Sequence, residues 1–419
     1  MPRPTGFVVT APGRPAKSLF EDWVERATSP PQQASGLFHP SQSFQTRSKA
    51  ASHVPRRARW AGIVLLGLLA GSLHGAEHRG RQFLGWDRVA PETWNRASTI
   101  ESPQVVVTSP PIVADIEWTE AVLSWNAATP PGTGLKIEVR RLEPAPATRS
   151  YVMGLWSSDP AGPPRESVPG QKDEQGEVQT DTLVLAQAAR TAQVRVTLIG
   201  DGRGGMPELS LLGLSLLDPR YMLDPLPPNR AAWGHELAVP ERTQVVYPEG
   251  VSAWCSPTSL AMLLAYWGET TRRPDLNLEV PVVAQAVNDP RWPGTGNWSF
   301  NVAFAGSLPG MRAYVTRLSD VAELEDWIAA GAPIAVSVSY NLLRGLPRDR
   351  SDGHLVVVRG FTANGDVIVN DPGTGKEIRR VFSRSNLARA WAVSQNTVYV
   401  VQPVTHVSPP DRFGHWLSR

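Results

Sequence analysis

Between positions 104 and 217 the apolar residues fall in runs of six to nine, separated by turn residues. The runs are QVVVTS (104–109), AVLSWNA (121–127), LKIEVRRL (135–142), YVMGLWS (151–157), VQTDTLVL (178–185), AQVRVTLIG (192–200) and LSLLGLSLL (209–217). In VRVTL the apolar Val194, Val196 and Leu198 alternate with Arg195 and Thr197, the period of a half-buried strand. PPGTG at 130–134 and GDGRGG at 200–205 supply turn chemistry. About seven short strands across 80–225 predict an all-β sandwich or jelly roll.

From 235 onward the period changes. Leu260, Leu263, Leu264 and Trp267 lie on one helical stripe, predicting a helix from Pro257 to Trp267 closed by Gly268. A second helix is predicted over Asp320–Gly331, opened by the capping pattern SDVAE. Strands are predicted in PIAVSVSY, HLVVVRGF, DVIVND and NTVYVVQP. Helix first and antiparallel strands later is an α+β pattern. The Pro-rich LDPLPPNRAAWG at 223–234 reads as a linker. The chain is therefore expected to be multi-domain: β-rich 80–225, then an α+β domain at 235–405 able to fold alone, with a loosely structured tail at 406–419.

The N-terminal segment differs from both. Residues 1–55 are rich in Pro, Ser, Gln and Ala and read as disordered, or as sequence ahead of a true start near Val54. Arg56, Arg57 and Arg59 then precede an apolar stretch from Trp60 to Leu73, with small residues at Gly75 and Ala76. This is the layout of a secretory signal peptide over 56–76, too short for the ~20 residues of a membrane span. The expectation is export, with cleavage near Ala76 and no transmembrane segment in the mature chain.

The formal charge of +2 is concentrated at the N-terminus, so the folded part has no basic bias toward nucleic acid. A single cysteine, Cys255, excludes an intramolecular disulfide, and no Cys/His cluster has zinc-site spacing. Fifteen tryptophans suit cores, or sugar- and peptide-binding surfaces.

Cys255 stands two residues before Pro257, a residue favoured in the first helical turn. Free N–H groups and the helix dipole there stabilise a thiolate. A nucleophilic thiol needs a base and an orienting group. His354 opens an apolar strand that turns at Asn364-Gly365 and returns to Asp371. A strict two-residue hairpin would set Asp371 opposite Val358, on His354's face but about 13 Å along the strand from it, so a bulge, or long side chains leaning along the strand, must close the gap. Asn370, the alternative orienting residue, falls on the opposite face by parity.

These residues resemble the C39-like cysteine peptidases, papain-fold enzymes, over roughly 240–402. CSPTSLAMLLAYWG, DGHLVVVRGFTANGDVIVNDP and the closing NTVYVV carry the resemblance. It implies Cys255 as nucleophile, His354 as general base, Asp371 as orienting acid and Gln244 as oxyanion donor, with no metal or organic cofactor. Two departures stand out: Ser256 where the family usually has glycine, and a spacing of eleven residues from Gln244 to Cys255. The resemblance does not extend to the β-rich region. The implied function is an exported peptidase acting on a peptide or protein through a thioester. The same residues would serve an amidase or acyltransferase on cell-wall peptides, and a non-catalytic peptide- or glycan-binding surface protein is the third reading, with the β-region touching glycan or cell wall.

Overall fold

The computed structural model describes residues 78–87, 94–98, 103–292, 294–348 and 353–417. The readings of 1–55 as disordered and 56–76 as a signal peptide lie outside these residues.

Strand outweighs helix among the described residues. Ten strands form the first sheet: β1 (Arg81–Asp87), β2 (Asn95–Ser98), β3 (Gln104–Thr108), β4 (Ile112–Ala128), β5 (Gly134–Glu143), β6 (Tyr151–Trp156), β7 (Lys172–Asp173), β8 (Gly176–Gln179), β9 (Thr182–Ile199) and β10 (Glu208–Leu217). Its main path runs β1-β10-β4-β9-β3-β2, with β5 and β8 also on β9. The sheet has more strands than the seven expected, and some of them are longer than the turn spacing suggested. DTLVL and AQVRVTLI join into one 18-residue strand, because no glycine or proline interrupts 182–199 and β9 finds partners along both edges. The core of this sheet is aromatic: Trp118, Trp125 and Trp156 are fully buried.

The second region opens with α1 (Cys255–Thr271), α2 (Val280–Val287) and α3 (Trp298–Ser307). It continues through β11 (Met311–Arg317), α4 (Val321–Ala329), β12 (Ile334–Val338), α5 (Tyr340–Leu343) and β13 (His354–Phe361), then β14 (Val367–Asn370), β15 (Arg379–Phe382), α6 (Arg384–Ala392) and β16 (Thr397–Pro403). Six strands order as β11-β16-β12-β13-β14-β15, all antiparallel. The helix α1 runs past Gly268 to Thr271 and is capped by Arg272 at φ 57°. Gly268 is there for space rather than as a stop: a Cβ would meet the Arg273 carbonyl at 2.8 Å.

The two regions share their cores. The helix α3 lies between β4 and β11, and its Phe300 packs on Trp125 and Trp156 with ring centroids 6.1 and 5.5 Å away. β11 is the outer strand of its sheet, and β4 side chains stand in for the missing neighbour. Asn126 donates to the Ala313 carbonyl (2.7 Å) and accepts from its N–H (3.0 Å), while Ser124 accepts from Val315 N–H (2.9 Å). An edge strand is thereby satisfied by side chains instead of being left open.

Two loosely built segments of the sequence reading are in fact docked. At the end of 223–234, Trp233 donates to Glu325 (2.8 Å) and Asn229 accepts and donates at the start of a short 3-10 turn. In the tail, fully buried His415 bonds Glu323 (2.8 Å) and Trp416 packs on Trp327. A few aromatic and ionic anchors hold these segments, and such anchors leave no periodic pattern to read.

Candidate active site

Cys255 is the first residue of α1, where backbone N–H groups have no intrahelical acceptor. The N–H groups of Ser256 and Leu355 both point at its sulfur. One turn further on, the Ser259 hydroxyl donates to the Leu355 carbonyl (3.1 Å), pinning α1 to β13. Ser256, the residue at the departure, is fully buried, and its hydroxyl is hydrogen-bonded to the Tyr399 hydroxyl (2.9 Å).

His354 begins β13, paired with Val338 of β12. Its Nε2 lies 2.7 Å from Asp371 Oδ1 and its ring is hydrogen-bonded to Cys255, which leaves Nδ1 as the nitrogen facing the thiol. The gap seen in the sequence is closed in two steps. A three-residue turn, with Thr362 N–H bonded to the Asp366 carbonyl (2.8 Å), shifts the register by one. An irregularity at Arg359 shifts it by one more, so Asn370 pairs with Val357 and Asp371 follows at the ladder's end. Asn370 faces away, bonding Arg359 (2.8 Å) and the Val239 carbonyl.

Asp371 is fully buried and receives four donors. Oδ1 takes His354 and Gly373 N–H (3.0 Å), and Oδ2 takes Arg380 (2.9 Å) and the Tyr340 hydroxyl (3.1 Å). Gly373 lies against the imidazole, where a Cβ would come within 3.0 Å of His354 Cε1. Arg380 and Tyr340 were not singled out from sequence. Arg380 lies on β15, opposite Val369, and no local motif marks it.

The electrostatics follow from this chain. Burial pushes the Cys255 thiol up, but the hydrogen bond and charge of His354 and the two N–H groups more than offset it, and the thiol sits below its ordinary value. Burial pushes His354 down, yet Asp371 and Cys255 carry it up to about 9. Burial raises Asp371, and His354, Gly373 and Arg380 hold it below the usual carboxylate range. All three directions favour a thiolate beside an imidazolium.

Gln244 is buried and lies on a loop tied to the Asp371 turn, through its N–H to the Pro372 carbonyl (3.0 Å) and Thr243 Oγ1 to the Thr374 carbonyl (2.6 Å). Its Nε2 donates to the Val251 carbonyl (2.9 Å), spending one of two hydrogens, and turns through 247–254 take up the long spacing to Cys255. Cys255 and His354 open into a cleft of about 650 Å³. Among the described residues no group of His, Cys, Asp and Glu could hold a metal ion, and no helix is long and apolar enough to cross a membrane.

Together, the chain's regions and family matches indicate a cysteine peptidase in the general sense. Residues 236–399 match the Peptidase C39-like family and residues 86–216 match the Peptidase C39 N-terminal domain, so the chain resembles the C39-like peptidases in both regions. The second match corrects the expectation that the resemblance stops short of the β-rich region. A solved structure described as a C39-like peptidase from Bacillus anthracis is 18% identical, covering 39% of this chain and 94% of its own, with a TM-score of 0.29. Among curated proteins none matches.

Proposed function

We propose that this is an exported cysteine peptidase that hydrolyses peptide bonds through Cys255, His354 and Asp371. The observation that carries the reading is the hydrogen-bonded chain from Asp371 through His354 to a thiol at a helix start, open to a cleft. The thiolate attacks the substrate carbonyl. His354 passes its proton to the departing amine as the thioester forms, then takes a proton from the water that releases the acid. The Cys255 N–H and the second hydrogen of Gln244 Nε2 would receive the oxyanion, each donor worth roughly 3 kcal/mol. The sandwich or jelly-roll and papain-like descriptions of the two sheets, and a boundary between domains at 80–225 and 235–405, belong to the same proposal. So does export, which rests on the signal-like layout of 56–76.

A peptide-library digest by the full chain and its Cys255→Ala variant tests the reading. New termini are expected with wild type alone. Equal cleavage by both proteins overturns it. N-terminal sequencing of the secreted protein is expected to begin near Glu77, and recovery of residues 1–55 from that fraction refutes export.

A further inference from the structure

The cleft beside Cys255 and His354 is not made by the second region alone. The tip of the β8–β9 hairpin, Gln179 to Thr182, forms part of its wall, with Glu120 from β4 and Arg317 from the end of β11. The tip is held in place: the Asp181 carboxylate accepts the Trp298 N–H at the start of α3 (2.5 Å) and the Thr182 hydroxyl (3.2 Å). Arg317 is 3% exposed. One of its nitrogens donates to Glu120 (3.0 Å), while Nε and Nη1 have no partner among the described residues. Buried polar groups left without a partner are costly, and the residue that carries these two belongs to the wall of the cleft.

We propose that Arg317 and the hairpin tip form a substrate subsite in which the free guanidinium donors take a neutral main-chain carbonyl oxygen of the bound peptide. This rests on the peptidase reading above and adds to it that the N-terminal sheet binds substrate. Charge decides between a carbonyl and a carboxylate. Burial raises Asp181 to about 6, so it is ionised at neutral pH, and Glu120 is already paired with Arg317. With Arg81 also coupled to Arg317 and Glu120, the local charges come close to balance, so a further carboxylate gains little there and the donors suit an uncharged oxygen.

Alkylation of Cys255 tests this without a known substrate. The thiolate displaces halide and a thioether forms. Iodoacetamide reports the thiolate alone. N-acetyl-oligoalanyl chloromethyl ketones place peptide on one side of the sulfur, and bromoacetyl-oligoalanine amides place it on the other. Rates in each series, from one to three alanines, are divided by the iodoacetamide rate of the same protein. Wild type should gain with length in at least one series. Arg317→Lys, which keeps the charge facing Glu120, should lose that gain by about tenfold, the scale of one hydrogen bond from a charged donor. Gln179→Trp, on the exposed tip and away from the core, should lose it also by obstruction, and circular dichroism confirms that each variant is folded. No length-dependent loss in either series with either variant overturns the subsite. A probe bearing aspartate that gains more than alanine, and loses that gain in Arg317→Lys, overturns the choice of a neutral oxygen. An iodoacetamide profile of wild type like that of a free thiol instead sinks the nucleophile reading, so the two failures are distinct.

Discussion

His354 Nε2 and Asp371 Oδ1 are 2.7 Å apart, inside a pocket where Asp371 already takes donors on every side. An amide cannot replace that carboxylate. Asp371→Asn would turn an NH₂ group either toward the imidazole or toward the Arg380 and Tyr340 donors. Activity should fall by roughly 10²–10⁴-fold, in the range seen where a triad aspartate becomes asparagine. Retention of half the wild-type rate in a peptide-cleavage assay would refute this.

The same ion pair fixes a pH window. His354 is raised from 6.5 to about 9, so its contribution to stability is complete below 6.5 and is lost as pH rises through about 9. Asp371 is held below 3.8, so its contribution is present above that value and is lost as pH falls through the depressed one. The stability gap between wild type and Asp371→Asn should therefore be widest between about 4 and 6.5 and should shrink as pH rises from there through about 9. Urea titrations at pH 3, 6 and 10 check it, and a gap independent of pH would contradict the pairing.

Cys255 should react with iodoacetamide well below the free-thiol value of about 8.5. With His354→Ala the hydrogen bond and positive charge are gone while burial remains. The reactive pH should then rise, to or beyond that of a free thiol. Stopped-flow alkylation against pH is the measurement, and identical profiles for the two proteins would remove His354 from the site.

How much of this could be read from the chain depends on how local each signal is. Cys255 before Pro257, the strand opened by His354 and the turn leading to Asp371 are short motifs, and they were visible as such. That a gap had to be closed, by a bulge or by leaning side chains, was also visible, because strand parity and a 3.3 Å rise are fixed by covalent geometry. Arg380, Tyr340 and Arg317 were not, since each reaches the site from a strand or short helix whose register is settled only by tertiary pairing. The helix α3, Trp298–Ser307, was missed for a related reason. It is buried on several sides and has no amphipathic stripe, so its period is hidden.

Arg380 acts on the chemistry through Asp371 and is a positioning residue. Its guanidinium donates to Oδ2 and helps to hold that carboxylate ionised. Arg380→Met should lower kcat by about three- to tenfold, the worth of one half-exposed charged hydrogen bond, and leave KM unchanged. Arg380→Lys should recover part of the loss because the point charge remains. A change in KM alone would assign Arg380 to substrate binding instead.

The last prediction concerns the boundary at 223–234. Phe300 belongs by sequence to the second region, but it is fully buried in the aromatic core of the first, against Trp125 and Trp156. Phe83, Val122 and Leu211 make the reverse exchange and lie in the core of the second. A fragment spanning 235–405 would expose the Phe300 face of α3 and open the β11 edge that Asn126 and Ser124 now satisfy. An uncovered apolar face beside an open edge strand favours aggregation. That fragment should therefore be insoluble or loosely folded, contrary to the independence expected from the sequence. The full chain should unfold in one cooperative step, and Phe300→Ala should destabilise that step by about 3–5 kcal/mol, the cost of deleting a buried aromatic ring. Calorimetry of the full chain, its Phe300→Ala variant and the fragment makes the test. Two separate transitions in the full chain, with Phe300→Ala shifting only one of them, would show that the sheets are independent after all.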